Sequence, residues 1–233
     1  MLCWICGADA DSGEHIHKQT DVRMVFGKGP YAKGKRLQKT SEDGDKKVIQ
    51  SETSDHLKYQ KSLCSYCNNT RTKPYDEAYA ESMAFVHGHA KEVLRNEKIS
   101  LKLIYGKQTK YKSKLLYKYY AKAFGCKLAE HGISVPAEIV ECVIKPNAEP
   151  PSMLLLTFAI YDEYPEKEKG FKGLLMTHRL ESDTDRVSGE VKYTFSQSVA
   201  WLSVVFWYNH TINNNLGVPW CGRSKEILLG HIQ

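Results

Sequence analysis

The sequence predicts an α+β fold, and three observations carry that expectation. Two C-x-x-C pairs, Cys3-Trp4-Ile5-Cys6 and Cys64-Ser65-Tyr66-Cys67, frame the amino-terminal third. A lysine-rich stretch of helical periodicity fills the middle, and beyond Pro146, Pro150 and Pro151 apolar and aromatic runs read as a mainly antiparallel sheet. With 233 residues, 42% of them hydrophobic, the chain can bury one substantial core or two small ones.

Taken in order, residues 1–26 read as a cysteine knuckle followed by an extended segment. Residues 27–61 are rich in Gly, Lys, Ser and Asp with little apolar periodicity, which predicts a polar insertion holding at most one hairpin. Pro74 opens a helix that runs to about Arg95. Asp76 and Glu77 stand in its first turn, where the helix dipole favours acids, and Tyr79, Met83, Val86 and Ala90 share one stripe. A second helix is predicted from Lys112 to about His131, because Leu116, Tyr120, Ala123 and Phe124 recur at helical spacing and Gly132 ends it. Strands are expected at 153–161, 172–180, 190–195 and 201–208, with acidic turns near Glu166 and at Asp183-Thr184-Asp185. The division that follows is a zinc-bearing module at 1–80, a basic helical segment at 81–135 and a carboxy-terminal α+β part at 136–233, a candidate surface for a protein partner.

The net charge of +6 is unevenly spread. Residues 91–127 hold 11 Lys/Arg against 2 Asp/Glu, whereas residues 128–233 hold 9 against 13. Lys110, Lys114, Lys118 and Lys122 stand four residues apart without interleaved acids, so they are expected to form a helix face that contacts nucleic-acid phosphates. The longest apolar run, Val199 to Tyr208, is about half of what a bilayer requires, and no signal peptide is evident at Met1. A cytoplasmic location and no membrane partner are expected. Seven cysteines, four in C-x-x-C pairs, suit a reducing compartment and a metal; Cys126, Cys142 and Cys221 read as small buried residues.

Two such knuckles supply four thiolates to a tetrahedral zinc, a closed and therefore structural site, so Cys3, Cys6, Cys64 and Cys67 are the expected zinc ligands. Between the knuckles lies Gly13-Glu14-His15-Ile16-His17-Lys18. A neutral imidazole is a competent base near neutrality, and a carboxylate with an amide carbonyl suits magnesium or manganese. Arg71 and Lys18 are placed to bind phosphate. His17 shares a face with His15 in an unbroken strand, and Asp55-His56 is a second acid–histidine pair, in the polar insertion.

The combination "CWICG…GEHIHK…LCSYCNNTRTKP" resembles the four-cysteine branch of the HNH nucleases, and also a group of bacterial HNH-like proteins with "SGEH" after the first knuckle and "CN-x-x-R-T-x-P-x-D-x-A" after the second. The resemblance covers roughly residues 1–80. It implies a ββα-metal module in which Glu14 and Asn68 hold one magnesium or manganese ion, His15 is the general base, and the zinc only shapes the fold. The implied activity is endonucleolytic hydrolysis of phosphodiester bonds, with double-stranded DNA the expected partner and antiphage defence or a mobile element the expected setting. One departure stands out: the family has an Asn about five residues before the third cysteine, which helps to hold the base, where this chain has Tyr59. The rival reading is a zinc-stapled nucleic-acid-binding, sensor or scaffold protein whose catalytic site has decayed.

Overall fold

A computed structural model describes residues 1–31, 37–40, 46–161, 175–210, 212 and 214–232. The knuckle around Cys3 and Cys6 turns back through Cys3 N–H to Ala8 O, and Trp4 N–H donates to Ser62 O beside the second knuckle. The segment expected to be an extended strand makes only isolated antiparallel bridges, Ser12 with Leu63 and His15 with Lys58. Gly13 permits this approach, since a Cβ there would meet the Tyr59 carbonyl oxygen at 2.5 Å. The chain then enters helix α1 (Gln19–Phe26), started by the Asp21 carboxylate, which accepts from Lys18 N–H. Among the described residues of the polar insertion, β1 (Leu37–Thr40) pairs antiparallel with β2 (Lys46–Ile49).

A π-helical turn, Cys67–Arg71, leads into α2 (Lys73–Gly88), with Pro74 in its first turn as expected. Tyr79, Met83 and Val86 are buried on it. The helix expected to reach Arg95 breaks at His89, whose backbone leaves helical geometry; α3 (Ala90–Asn96), β3 (Lys98–Ser100) and α4 (Leu101–Tyr105) follow. Then come the 22-residue α5 (Thr109–Glu130) and α6 (Ala137–Ile144). The strands are β4 (Leu154–Tyr161), β5 (Leu175–Thr177), β6 (Glu181–Thr184), β7 (Val191–Val199), β8 (Leu202–Tyr208) and β9 (Glu226–Ile232). Glu166 and residues 172–174 of the second expected strand lie outside the described residues.

Among the described residues these strands form one sheet with β3, in the order β3-β9-β4-β8-β7-β5, and β6 also pairs with β7. Only the β4–β9 pairing is parallel, so the mixed α and β character and the mainly antiparallel sheet agree with expectation. The sheet is not confined to the carboxy-terminal part, because β3 comes from the basic middle.

Helix α5 packs on this sheet. Phe124 stacks against Phe195, Phe206 and Tyr208, and Tyr120 meets Phe158 and Phe206 edge-on. Full burial of rings such as Phe124, Phe158 and Phe206 contributes roughly 1.5–3 kcal/mol each. One hydrophobic cluster runs from Cys3 to Leu229 through all three expected segments. The core thus fixes the knuckles, α2 and α5 relative to one another.

Candidate functional site

The two knuckles meet. The sulfurs of Cys3, Cys6, Cys64 and Cys67 all lie within 4.8 Å of one another, with Cys6 Sγ and Cys64 Sγ 3.6 Å apart. A tetrahedral zinc with bonds of about 2.3 Å would separate its sulfurs by about 3.8 Å, so the cluster fits the ion. A backbone hydrogen bond at Ala8 draws the Cys6 thiol down to about 7, against the opposing effect of burial. The four-cysteine cluster therefore has the geometry to hold a metal ion, and structural zinc is consistent with it.

Arg71 turns toward this cluster. Its Nη1 donates to Cys67 Sγ at 3.2 Å, and its guanidinium lies 5.3 Å from the centre of the Tyr66 ring. It was expected to face phosphate; it supports the second knuckle instead.

His15 lies on the segment between the first knuckle and α1, half-buried, with Nε2 3.4 Å from the Gln19 amide nitrogen. Burial pushes its pKa below the ordinary histidine value, and the charges of Lys18 and Lys58 push the same way against Glu14 and Asp76. The imidazole is therefore neutral near neutrality. Tyr59 does not hold it: the buried Tyr59 hydroxyl accepts from Gln197 Nε2 at 2.7 Å, on β7. His17 does not share its face, because no regular strand forms. The His17 ring is buried beside Thr177 Oγ1 at 3.2 Å, and burial brings its pKa down to about 3. Asp55 and His56 stand on an exposed turn where Asp55 pairs with Lys58.

Glu14 is buried and both of its oxygens are occupied. Oε1 is ion-paired with Lys18, and Oε2 accepts from Lys122 Nζ at 2.8 Å. The same two ammonium groups each lie 2.9 Å from Asp76 Oδ1, and Lys122 Nζ is 3.1 Å from Thr72 Oγ1. Both nitrogens also stand over the Tyr119 ring, 5.4 Å and 5.9 Å from its centre. Burial alone would raise the Glu14 pKa, but Lys122 and Lys18 outweigh it and hold the carboxyl at about 2. Asn68 is buried nearby and donates its amide to Ser12 Oγ at 2.9 Å.

This arrangement does not fit the expected magnesium or manganese ion. Mg²⁺ requires oxygens at about 2.0–2.1 Å, whereas the Glu14 oxygens are already paired with ammonium groups.

The lysine face also needs correction. Lys118 and Lys122 are fully buried, so neither is a surface phosphate contact. Lys118 Nζ donates to the backbone carbonyls of Lys145 and Pro146, at 2.5 and 2.9 Å, and satisfies the end of α6. Lys114 is paired with Glu149. Exposed around the amino end of α5 are Lys107, Lys110, Tyr111 and, from the loop before β9, Arg223. The charges of Lys114, Arg223 and Lys110 all lower the pKa of Glu149, whose largest perturbation is its hydrogen bond from Lys114.

Sequence reasoning did not select Lys122 and Asp76 as site partners, although Asp76 belongs to the second motif. The signal available was the acid-free lysine spacing on α5, whose acids come from distant segments. Among the described residues no helix is long and apolar enough to cross a membrane. Comparison with protein-family models, curated proteins and solved structures finds no match.

Proposed function

We propose that the chain acts on nucleic acid, hydrolysing phosphodiester bonds with His15 as general base at a zinc-stapled HNH-like module. The observation that carries this reading is the setting of His15. A half-buried imidazole, held neutral, stands on a segment paired antiparallel with the stretch that leads into the second knuckle and its helix. A neutral imidazole accepts a proton from water; the water oxygen bonds to phosphorus as the ester P–O bond breaks, and the departing sugar oxygen takes its proton from solvent. The cations at the start of α5 supply a further, sequence-independent contact to the backbone. Duplex DNA is the substrate proposed first.

A second reading is favoured by one specific observation, the occupation of both Glu14 oxygens by ammonium groups. In that reading the module binds nucleic acid and no longer cleaves it.

Titration of a short DNA duplex into zinc-loaded protein, followed by nuclear magnetic resonance of the imidazole signals, tests engagement at this site. The His15 signals are expected to shift while those of His56 stay in place. Shifts confined to His56, or none, would contradict the proposed site.

A further inference from the structure

We infer that the ammonium groups of Lys18 and Lys122 take the place of a divalent ion at Glu14, so that the module neither binds nor requires one there. The inference concerns the same site as the proposed function, but its test reads metal binding and not cleavage, so either can fail alone.

Three features converge. The first is hydrogen-bond completeness. An ammonium group has three N–H donors. Lys122 Nζ has three oxygen partners, Glu14 Oε2 at 2.8 Å, Asp76 Oδ1 at 2.9 Å and Thr72 Oγ1 at 3.1 Å. These oxygens come from the segment between the knuckles and from the start of α2, so the cage is assembled by the fold.

Charge balance is the second feature. Glu14 and Asp76 bring two negative charges, and Lys18 and Lys122 bring the two positive charges that a divalent ion would otherwise supply. A divalent ion added to this set would leave an excess of positive charge beside Glu14 and Lys122, which are buried, and there uncompensated charge is costly. The Tyr119 ring faces both nitrogens, and the face of an aromatic ring favours a cation.

The third feature is size. The contacts of Lys122 Nζ, 2.8–3.1 Å, suit N–H···O bonds and exceed the 2.0–2.6 Å over which magnesium and calcium bind oxygen. Lys122 is also fully buried and anchored on α5, so it cannot swing out to vacate the cage without disturbing the core.

Manganese is the probe of choice, because its paramagnetism broadens the signals of nearby nuclei. Added to zinc-loaded wild-type protein, Mn²⁺ should leave the amide signals of Glu14, Lys18, Thr72 and Asp76 no more broadened than those of exposed surface residues. In Lys122→Met the cage loses its tethered cation, and the same four signals should broaden selectively below one equivalent of Mn²⁺. Selective broadening in the wild type would overturn the inference, and this arm stands even if Lys122→Met does not fold. A folded Lys122→Met that shows no selective broadening would also overturn it, by showing that the oxygens are not a cation cage.

Discussion

Lys122 Nζ lies 2.8 Å from Glu14 Oε2, and this contact ties the longest helix of the protein to the segment between its two cysteine knuckles. Neither side chain is solvent-facing. Removing one member of such a pair leaves the other charged and buried. Lys122→Met is therefore expected to destabilise the protein by up to about 3–5 kcal/mol, and Lys122→Met with Glu14→Gln by less, since the buried Glu14 charge, left with Lys18 alone, is then also removed. Denaturant unfolding of the single and double variants checks this; a double variant no more stable than Lys122→Met would argue against the coupling.

The cysteine cluster gives a prediction of another kind. Zinc held by Cys3, Cys6, Cys64 and Cys67 should be present at one ion per chain, and Cys64→Ser should lose the ion together with the fold of the knuckles. Elemental analysis and circular dichroism read both. Full zinc content in Cys64→Ser would remove Cys64 from the ligand set.

Two buried groups beside the site should give pH dependences of opposite sign. Burial raises the Asp21 pKa from 3.8 to about 6, although hydrogen bonds from Tyr79 and Lys18 N–H oppose the rise. The stability linked to Asp21 is thus complete below pH 3.8 and is lost as pH rises through about 6. Burial lowers the His17 pKa from 6.5 to about 3, so the stability linked to His17 is complete above pH 6.5 and falls as pH drops toward 3. Asp21→Asn should gain on the wild type as pH rises across its window, and His17→Gln should flatten the acid loss. Stability curves parallel to the wild type would contradict both assignments.

The basic surface predicts a salt effect. Replacing Lys107, Lys110 and Arg223 by Gln should weaken binding about equally to unrelated duplexes and flatten the dependence on salt, by up to about 0.9 log units for each lost phosphate contact. Lys118→Gln is not a surface control, because it would leave the Lys145 and Pro146 carbonyls without their buried donor. An unchanged salt slope in the triple variant would place the nucleic-acid contact elsewhere.

The knuckles, α2, α5 and most of the strands were legible because their signals are local: paired cysteines, a proline at a helix start, apolar periodicity and β-rich runs. The short helices α1, α4 and α6 and the strands β3, β6 and β9 were not; β6 takes in Asp183 and Thr184, which were expected to turn. The three residues of β3 join the sheet only because β9 pairs with them, and no local pattern announces such a partner. Within the site, the four cysteines were legible from their spacing. The lysines of α5 misled for a physical reason. A helix that lacks internal acids looks solvent-facing when only i,i+4 pairing is considered, yet Lys114 finds Glu149, and Lys122 finds Glu14 and Asp76, across the fold. Tyr59 pairs with the segment that carries His15, yet its hydroxyl reaches Gln197 on β7, a partner far away in sequence.

The most direct measurement is cleavage of end-labelled DNA and RNA by zinc-loaded wild type and His15→Ala, with and without added magnesium. Wild-type protein should cleave without requiring magnesium, and His15→Ala should retain zinc, fold and binding while losing about 10²–10⁴-fold in rate, the usual share of a positioned base. Equal cleavage by His15→Ala would contradict the assignment of the base, and wild-type protein that binds nucleic acid without cutting it under any of these conditions would contradict hydrolysis itself.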